Sequence, residues 1–415
     1  MNAKFNSTES LDPWLCPWSN SDSSPDIIAI GLQEMVDLNA VNVAVENKSS
    51  QKSSAWVDRI QQTLNSHSNH GGNPNKTYVC VESKYLVGLM LCVFVKATHR
   101  NRVKCVRWDN VGVGVMGVMG NKGGVSVRFQ FYDSTICIVN SHLAAHRENV
   151  TGRNADFHNV YNKISYDIGN EAVKESIQNG SFNQRVSNGS QIGAPDHDIV
   201  FWIGDLNYRI HESLATEEVL ALSKRGDLNI LKKNDQLNIE RKANRVFQDF
   251  EEGETNFLPT YKYQPGTDLY EQRPDKKLRA PAWCDRILWK VQDKRHLKQL
   301  DYSRSELNIS DHKPVMATFL ATIKDVIPQE REKVYIAVLK KLDQYENKSL
   351  PMISFDDELQ LDFGEVRYGK KIQKTMTITN TGNVVAQFRL VPKLEEVRLF
   401  CFVLTKLCVQ GYMCL

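Results

Sequence analysis

The chain has 415 residues, 41% of them hydrophobic and 24% charged, with a formal net charge of +3. This is the composition of an ordinary globular protein, long enough for one large domain and a smaller one. So small a net charge excludes nucleic acid held by bulk electrostatics, and any anionic ligand must be recognised by local basic patches.

The N-terminus, "MNAKFNSTES", has no apolar h-region and does not read as a signal peptide. From residue 26 to about 324, short runs rich in Val, Ile and aromatics predict strands: "DIIAIGL", "YVCVES", "LVGLMLCVFVK", "GVSVRFQF", "STICIVNSH", "DIVFWIGD", "DRILWKV" and "PVMATFLATI". Apolar spacing predicts helices over 55–64, 153–170 and 215–224. The fold class expected is therefore α+β, with packed mixed sheets flanked by helices. Residues 173–197, rich in Ser, Asn, Gln and Gly, read as a surface insertion, and 325–349 as a connecting helix. From Pro351 the chain alternates strand-like runs with Gly and Asn-Thr-Gly turns, as a partial immunoglobulin-like β segment does, over 351–415. The last residues, "VRLFCFVLTKLCVQGYMCL", carry Arg398 and Lys406 and are not expected to span a membrane. Nine scattered cysteines form no Cys-x-x-Cys pair, which argues against a zinc site or disulfide framework and fits a reducing, cytoplasmic compartment.

Acidic, amide and histidine residues recur at strand ends: Gln33-Glu34, Asn140-Ser141-His142, Asp205-Leu206-Asn207, Asp285-Arg286 and Ser310-Asp311-His312. One such turn is ordinary surface chemistry, but five in a strand-rich domain can converge on one edge of packed sheets. Hard oxygen ligands such as Glu34 suit Mg²⁺. A histidine flanked by carboxylates suits contact with a phosphoryl oxygen, and Asp205 beside Asn207 suits activation of a water. No cysteine is followed by arginine at the sixth position, and neither a Gly-x-Ser-x-Gly elbow nor a Gly-Lys-Ser/Thr loop ending occurs. Basic residues lie close by in "TYKYQPG" (Lys262) and "KKLRAPAWCDR" (Lys276, Lys277, Arg279), with a third basic stretch over 223–245.

"FWIGDLNYRI" and "RAPAWCDRILW" resemble the paired signatures of the Mg²⁺-dependent inositol polyphosphate 5-phosphatases. "GLQE", "MGNKGG", "VNSHLAAH", "TYKY" and "SDHKPV" follow that family's order, and the likeness covers roughly residues 2–325. The type II subgroup is the most similar, because the β-rich C-terminal segment resembles its ASH domain. The resemblance implies a DNase I-like endonuclease/exonuclease/phosphatase fold. It implies that Glu34 holds Mg²⁺, helped by Asp311 and Asn2, that Asp205 acts as base and that Asn207 aligns the water. His312, oriented by Asp285, would bond a phosphoryl oxygen, and His142 would contact the scissile phosphate. Asn121, Lys122, His146, Tyr261, Lys262 and Arg279 would hold the ring phosphates. A membrane-dipping role falls on Leu86, Val87 and Leu89, and a small GTPase is the partner implied for the C-terminal segment.

One departure is notable. The family begins with a strand ending Trp-Asn-Val-Asn-Gly, and here "MNAKF" matches only its end. The expectation is a domain short of its first strand, with two readings: a phosphoinositide 5-phosphatase, or an impaired fragment acting as a lipid- or GTPase-binding adaptor. A magnesium nuclease on the same fold is disfavoured by "PAWCDR" and "TYKY".

Overall fold

The structure is a computed structural model that describes residues 9–18, 24–35, 46–66, 77–114, 122–169, 191–355, 362–365 and 367–388. It divides into two units, Met1–Val326 and Ile327–Leu415.

In the first unit, β1 (Ile27–Leu32) is followed by helix α1 (Glu46–Ser66), then β2 (Tyr78–Leu86) and β3 (Leu89–Lys96). These strands form an antiparallel sheet in the order β1-β3-β2. Next come β4 (Val103–Gly112), β5 (Gly123–Phe131), β6 (Ser134–His142), α2 (Val150–Lys163), β7 (Ile199–Asp205), α3 (Thr216–Arg225) and β8 (Asp285–Val291). The second sheet runs β8-β7-β6-β5-β4, extended beyond β8 by the short strand Glu251–Glu252. Its pairs are antiparallel except β6 with β7, which is parallel. Two further strands, β9 (Leu297–Arg304) and β10 (Val315–Ala321), pair antiparallel with each other.

The period of two along each strand sorts the core into layers. On β3, Met90, Cys92 and Phe94 face Trp56, Ile60 and Leu64 of α1. Leu91, Val93 and Val95 face the second sheet, where they meet Val125, Val127, Phe129, Ile136 and Ile138. On the far side of that sheet, Cys137, Val139, Val200 and Trp202 pack with Phe157 and Val160 of α2. The expected pair of packed sheets flanked by helices is thus realised. The side chain of Asn149 caps α2 at Gly152 N (3.1 Å), and α3 ends on Gly226 in the left-handed region (φ 75°).

Among the described residues, the outer edge of β1 and the edge of β10 face one cavity of about 990 Å³, lined by both strands along their whole length. Glu34, Asp205, Asp285, Asp311 and His312 line it as well.

Some sequence expectations need correction. "LVGLMLCVFVK" is not one strand: it bends at Val87 (φ 50°) and Gly88 between β2 and β3. Leu89 is 1% exposed, so it belongs to the core and offers nothing to a bilayer. The helix expected to reach residue 170 stops at Lys163, because Ser165–Asp167 pairs with Gln191–Gly193. Strands β4 and β9 escaped prediction because charged residues interrupt them, as in "VKCVRWDNVG" and "LKQLDYSR". Most of the 173–197 insertion and the apolar tail lie outside the described residues.

In the second unit, α4 (Pro328–Lys348) precedes an antiparallel pair formed by Ile353–Phe355 and Ile378–Asn380. No described helix is long and apolar enough to cross a membrane.

Candidate active site

Strand register assembles the site. His142 ends β6 and pairs with Asp205 at the end of β7, which pairs in turn with Asp285 at the start of β8. Gly123 of β5 pairs with His142 on the other side and brings in Lys122. Directly opposed cross-strand residues have Cβ atoms roughly 5 Å apart, so one row across four strands delivers three of the predicted side chains. His312 comes from the loop before β10 and bonds Asp285 Oδ2 through Nδ1 at 2.9 Å. Ligand atoms of Asp205, Asp285 and His312 all lie within 4.8 Å of one another.

The chain bends sharply to make this cluster. Glu34 (φ 54°), Asn207 (φ 57°) and His146 (φ 77°) all occupy the left-handed region, uncommon for residues with a side chain. The Asn207 backbone N–H donates to Asp205 Oδ1 (3.0 Å), and its amide donates to Leu143 O (3.0 Å). The Arg209 guanidinium donates to both Asn207 O and Asn207 Oδ1. It also stacks 4.3 Å over the Tyr261 ring, whose centroid is 4.6 Å from that of His312. Arg209 therefore ties the Asp205 turn to the His312 loop. Thr260 Oγ1 donates to Asp285 Oδ2 (2.7 Å), fixing the carboxylate that holds His312.

Charge is distributed unevenly. Burial pulls the His142 imidazole below its ordinary range, and the neighbouring Lys122 ammonium adds to the effect. Lys122 Nζ contacts His142 Nε2, which in turn lies 3.3 Å from Asp205 Oδ2. Burial alone would raise Asp205, but its contact with His142 and the charges of His312 and Lys122 outweigh it and hold the carboxyl well below the usual range. His312 goes the other way. Burial opposes its charge, yet Asp285, Asp205 and Asp311 push it up to about 9, so it is an imidazolium at neutral pH.

A cationic flank borders this cluster. Lys262 Nζ pairs with Asp311 Oδ2 at 2.6 Å and lies 5.5 Å from the Tyr261 ring centroid. Buried Lys313 bonds Asp268 (2.6 Å), Asn308 (2.6 Å) and Glu306 O (3.1 Å), anchoring the segment that carries His312. Glu148 is held below its ordinary range by its own backbone N–H, with His146, Lys277 and Arg279 adding to the effect.

The structure thus brings together Asp205, Asn207, Asp285, His312, His142, Lys122 and Tyr261, with Glu34 on the same cavity. The Asp311 carboxylate is engaged by Lys262. Asn2 and Asn121 lie outside the described residues. Thr260 and Arg209 were missed by sequence reasoning. For Arg209 the signal was present, since a cation two residues beyond Asn207 in a buried motif requires a partner.

Comparison with known proteins identifies the family. Residues 1–318 match the model of endonuclease/exonuclease/phosphatase family 2, and residues 357–411 match the ASH domain of OCRL-like inositol polyphosphate 5-phosphatases. A type II inositol 1,4,5-trisphosphate 5-phosphatase of Mus musculus is 36% identical over 94% of this chain, which spans 35% of that relative. A type IV inositol polyphosphate 5-phosphatase 9 of Arabidopsis thaliana is 38% identical over 72% of this chain and 70% of its own length. The crystal structure of the inositol polyphosphate 5-phosphatase domain of SPsynaptojanin, in complex with inositol (1,4)-bisphosphate and calcium ion, superposes with a TM-score of 0.66. It is 30% identical and covers 83% of this chain and 88% of its own. A Cimex nitrophorin, 22% identical with a TM-score of 0.52 over 76% of this chain and 95% of its own, shares the fold alone. The site row, the family model and these relatives together establish that the chain belongs to the inositol polyphosphate 5-phosphatases of the endonuclease/exonuclease/phosphatase family.

Proposed function

We propose that the chain hydrolyses the 5-phosphate of phosphoinositides, converting phosphatidylinositol 4,5-bisphosphate to phosphatidylinositol 4-phosphate. It does so at the cytoplasmic face of endosomal, Golgi or plasma membranes. The observation that carries the proposal is the His142–Asp205–Asp285 row with His312 bonded to its end, beside a cationic flank suited to further phosphates.

In this reading the substrate's 5-phosphoryl group lies against His142 and His312. The His312 imidazolium donates to a phosphoryl oxygen, and Asp285 keeps it oriented and charged. Asp205, held unprotonated, orients the attacking water through its carboxylate and accepts its proton. The water oxygen bonds to phosphorus, the bond to the inositol oxygen breaks, and that oxygen takes a proton from solvent. Asn207 holds Asp205 through its backbone N–H, and Arg209 holds Asn207. Lys122, His146, Tyr261, Lys262 and Arg279 take the remaining ring phosphates, together with Asn121.

The donor chemistry fits Mg²⁺: Glu34, Asp205 and Asp285 offer hard carboxylate oxygens on one cavity, while the protonated His312 is a donor rather than a ligand. Glu34 is the proposed principal ligand, assisted by Asp311 and Asn2. When bound, Mg²⁺ supplies neutralisation of phosphoryl charge and a more acidic water. The C-terminal segment that matches the ASH domain is the proposed contact for a small GTPase.

The test is phosphate release from a panel of phosphoinositides with and without Mg²⁺. Mg²⁺-dependent release of the 5-phosphate, abolished in Asp205→Asn, is the expected result. The cationic flank of Lys262 beside Tyr261 serves equally a second reading, an adaptor that binds phosphoinositide without turning it over. Robust turnover by residues 1–415 overturns that alternative.

A further inference from the structure

Asn140 occupies a position that the fold reserves for an apolar side chain. On β6, Ile136 and Ile138 point into the layer between the two sheets, and the period of two sends Asn140 the same way. It is fully buried, yet all its main hydrogen-bonding capacity is used. Its Nδ2 donates to Leu32 O (3.2 Å) and Met90 O (2.8 Å), and its Oδ1 accepts from Gln33 Nε2 at 2.6 Å. Leu32 and Met90 face each other in the register of β1 and β3. A single amide of the second sheet therefore grips the end of the first, immediately before Glu34.

Two glycines make room for it. A Cβ on Gly31 would lie 2.6 Å from both Asn140 Cγ and Asn140 Oδ1. A Cβ on Gly204 would lie 2.7 Å from Asn140 Oδ1 and 2.1 Å from Ser141 O, and Gly204 sits at φ +128°. Gly31 precedes Glu34 by three residues and Gly204 precedes Asp205 by one. The amide is thus wedged between the strand that carries the proposed metal ligand and the strand that carries the proposed base.

We propose that Asn140 is a positioning residue that fixes the separation of Glu34 from Asp205, and that Gly31 is small because the amide fills the space its Cβ would take, whereas Gly204 is required by its backbone conformation and by Ser141 O as well. A purely packing role is better served by Leu or Val, which match the layer and carry no polar group to satisfy. The proposal rests on the functional reading above, because it takes Glu34 and Asp205 to act on one metal-assisted reaction.

The test compares the full chain with Asn140→Ala and with the double variant Asn140→Ala/Gly31→Ala, in which the new methyl refills part of the space. Three properties are read: the urea midpoint, Mn²⁺ affinity by calorimetry, and kcat and KM on phosphatidylinositol 4,5-bisphosphate vesicles. In the single variant all but KM decline. In the double variant the urea midpoint recovers while Mn²⁺ affinity stays about 10- to 100-fold weakened, the size seen when groups that orient metal ligands are removed, and kcat stays low at unchanged KM. If Asn140→Ala does not fold, the double variant carries the same comparison. Recovery of Mn²⁺ affinity together with stability overturns the proposal, as does native affinity in either variant. Should the native chain release no phosphate while Mn²⁺ affinity still falls in the variants, the positioning role stands and the substrate reading fails.

Discussion

His312 sets the pH dependence of this site. Its imidazole is raised to about 9 because three carboxylates outweigh the cost of burial. With its pKa raised to about 9, the charged donor is present through neutral pH and is lost as pH rises through that value. The kcat profile is therefore expected to fall on an alkaline limb near that value. Asp285→Asn removes the largest contribution favouring the charge, so the limb should move to lower pH; an unmoved limb assigns it to another group. The residues whose chemistry is outward-facing, such as Asp205, Asp285 and His312, were legible in the sequence because catalytic residue types followed apolar runs. The roles of Thr260 and Asn140 were not, although Asn140 stands in one of the strand-end clusters. Their partners lie between 25 and 108 residues away, and nothing local marks such pairing.

At the scale of elements, register does what spacing along the chain cannot. A one-residue slip of β7 against β6 would turn Asp205 away from His142 and into the opposite layer. An ion-pair network bears on the same strands. Arg286, beside Asp285 on β8, is 1% exposed and bonds Asp235 (3.0 Å) and Glu252 (2.6 Å), both also buried. Arg286→Met leaves buried Asp235 without its cation and Glu252 with Arg241 alone, and is expected to cost about 3–5 kcal/mol in urea denaturation, whereas an exposed Arg295→Met costs little. A second staple, distant from the reaction, predicts acid sensitivity. Buried His197 donates from Nδ1 to Ala194 O and accepts from Arg128 Nε, and burial pulls it down to about 3. A lowered histidine pKa means the unfolded chain binds the extra proton, so this stability is present above about 6.5 and is lost as pH falls towards 3. The loss is on the order of a few kcal/mol. Equilibrium unfolding of His197→Gln across that window should show a flatter acid limb; an unchanged slope assigns the acid lability elsewhere.

For the whole molecule, the layer order could be anticipated from alternating apolar strands, but the polar strands β4 and β9 could not, since their exposed faces mask the period. The cavity between β1 and β10 was not legible, because it depends on where two strand edges distant in sequence come to lie. Hydrolysis of an inositol 5-phosphate by the row of His142, Asp205 and Asp285, with His312, is measured as Mg²⁺-dependent phosphate release from phosphatidylinositol 4,5-bisphosphate vesicles, native against Asp205→Asn. The expected product is phosphatidylinositol 4-phosphate, with a fall of about 10²-fold or more in the variant; release that is indifferent to Mg²⁺ or to Asp205→Asn would rule this site out as the one that hydrolyses the ester.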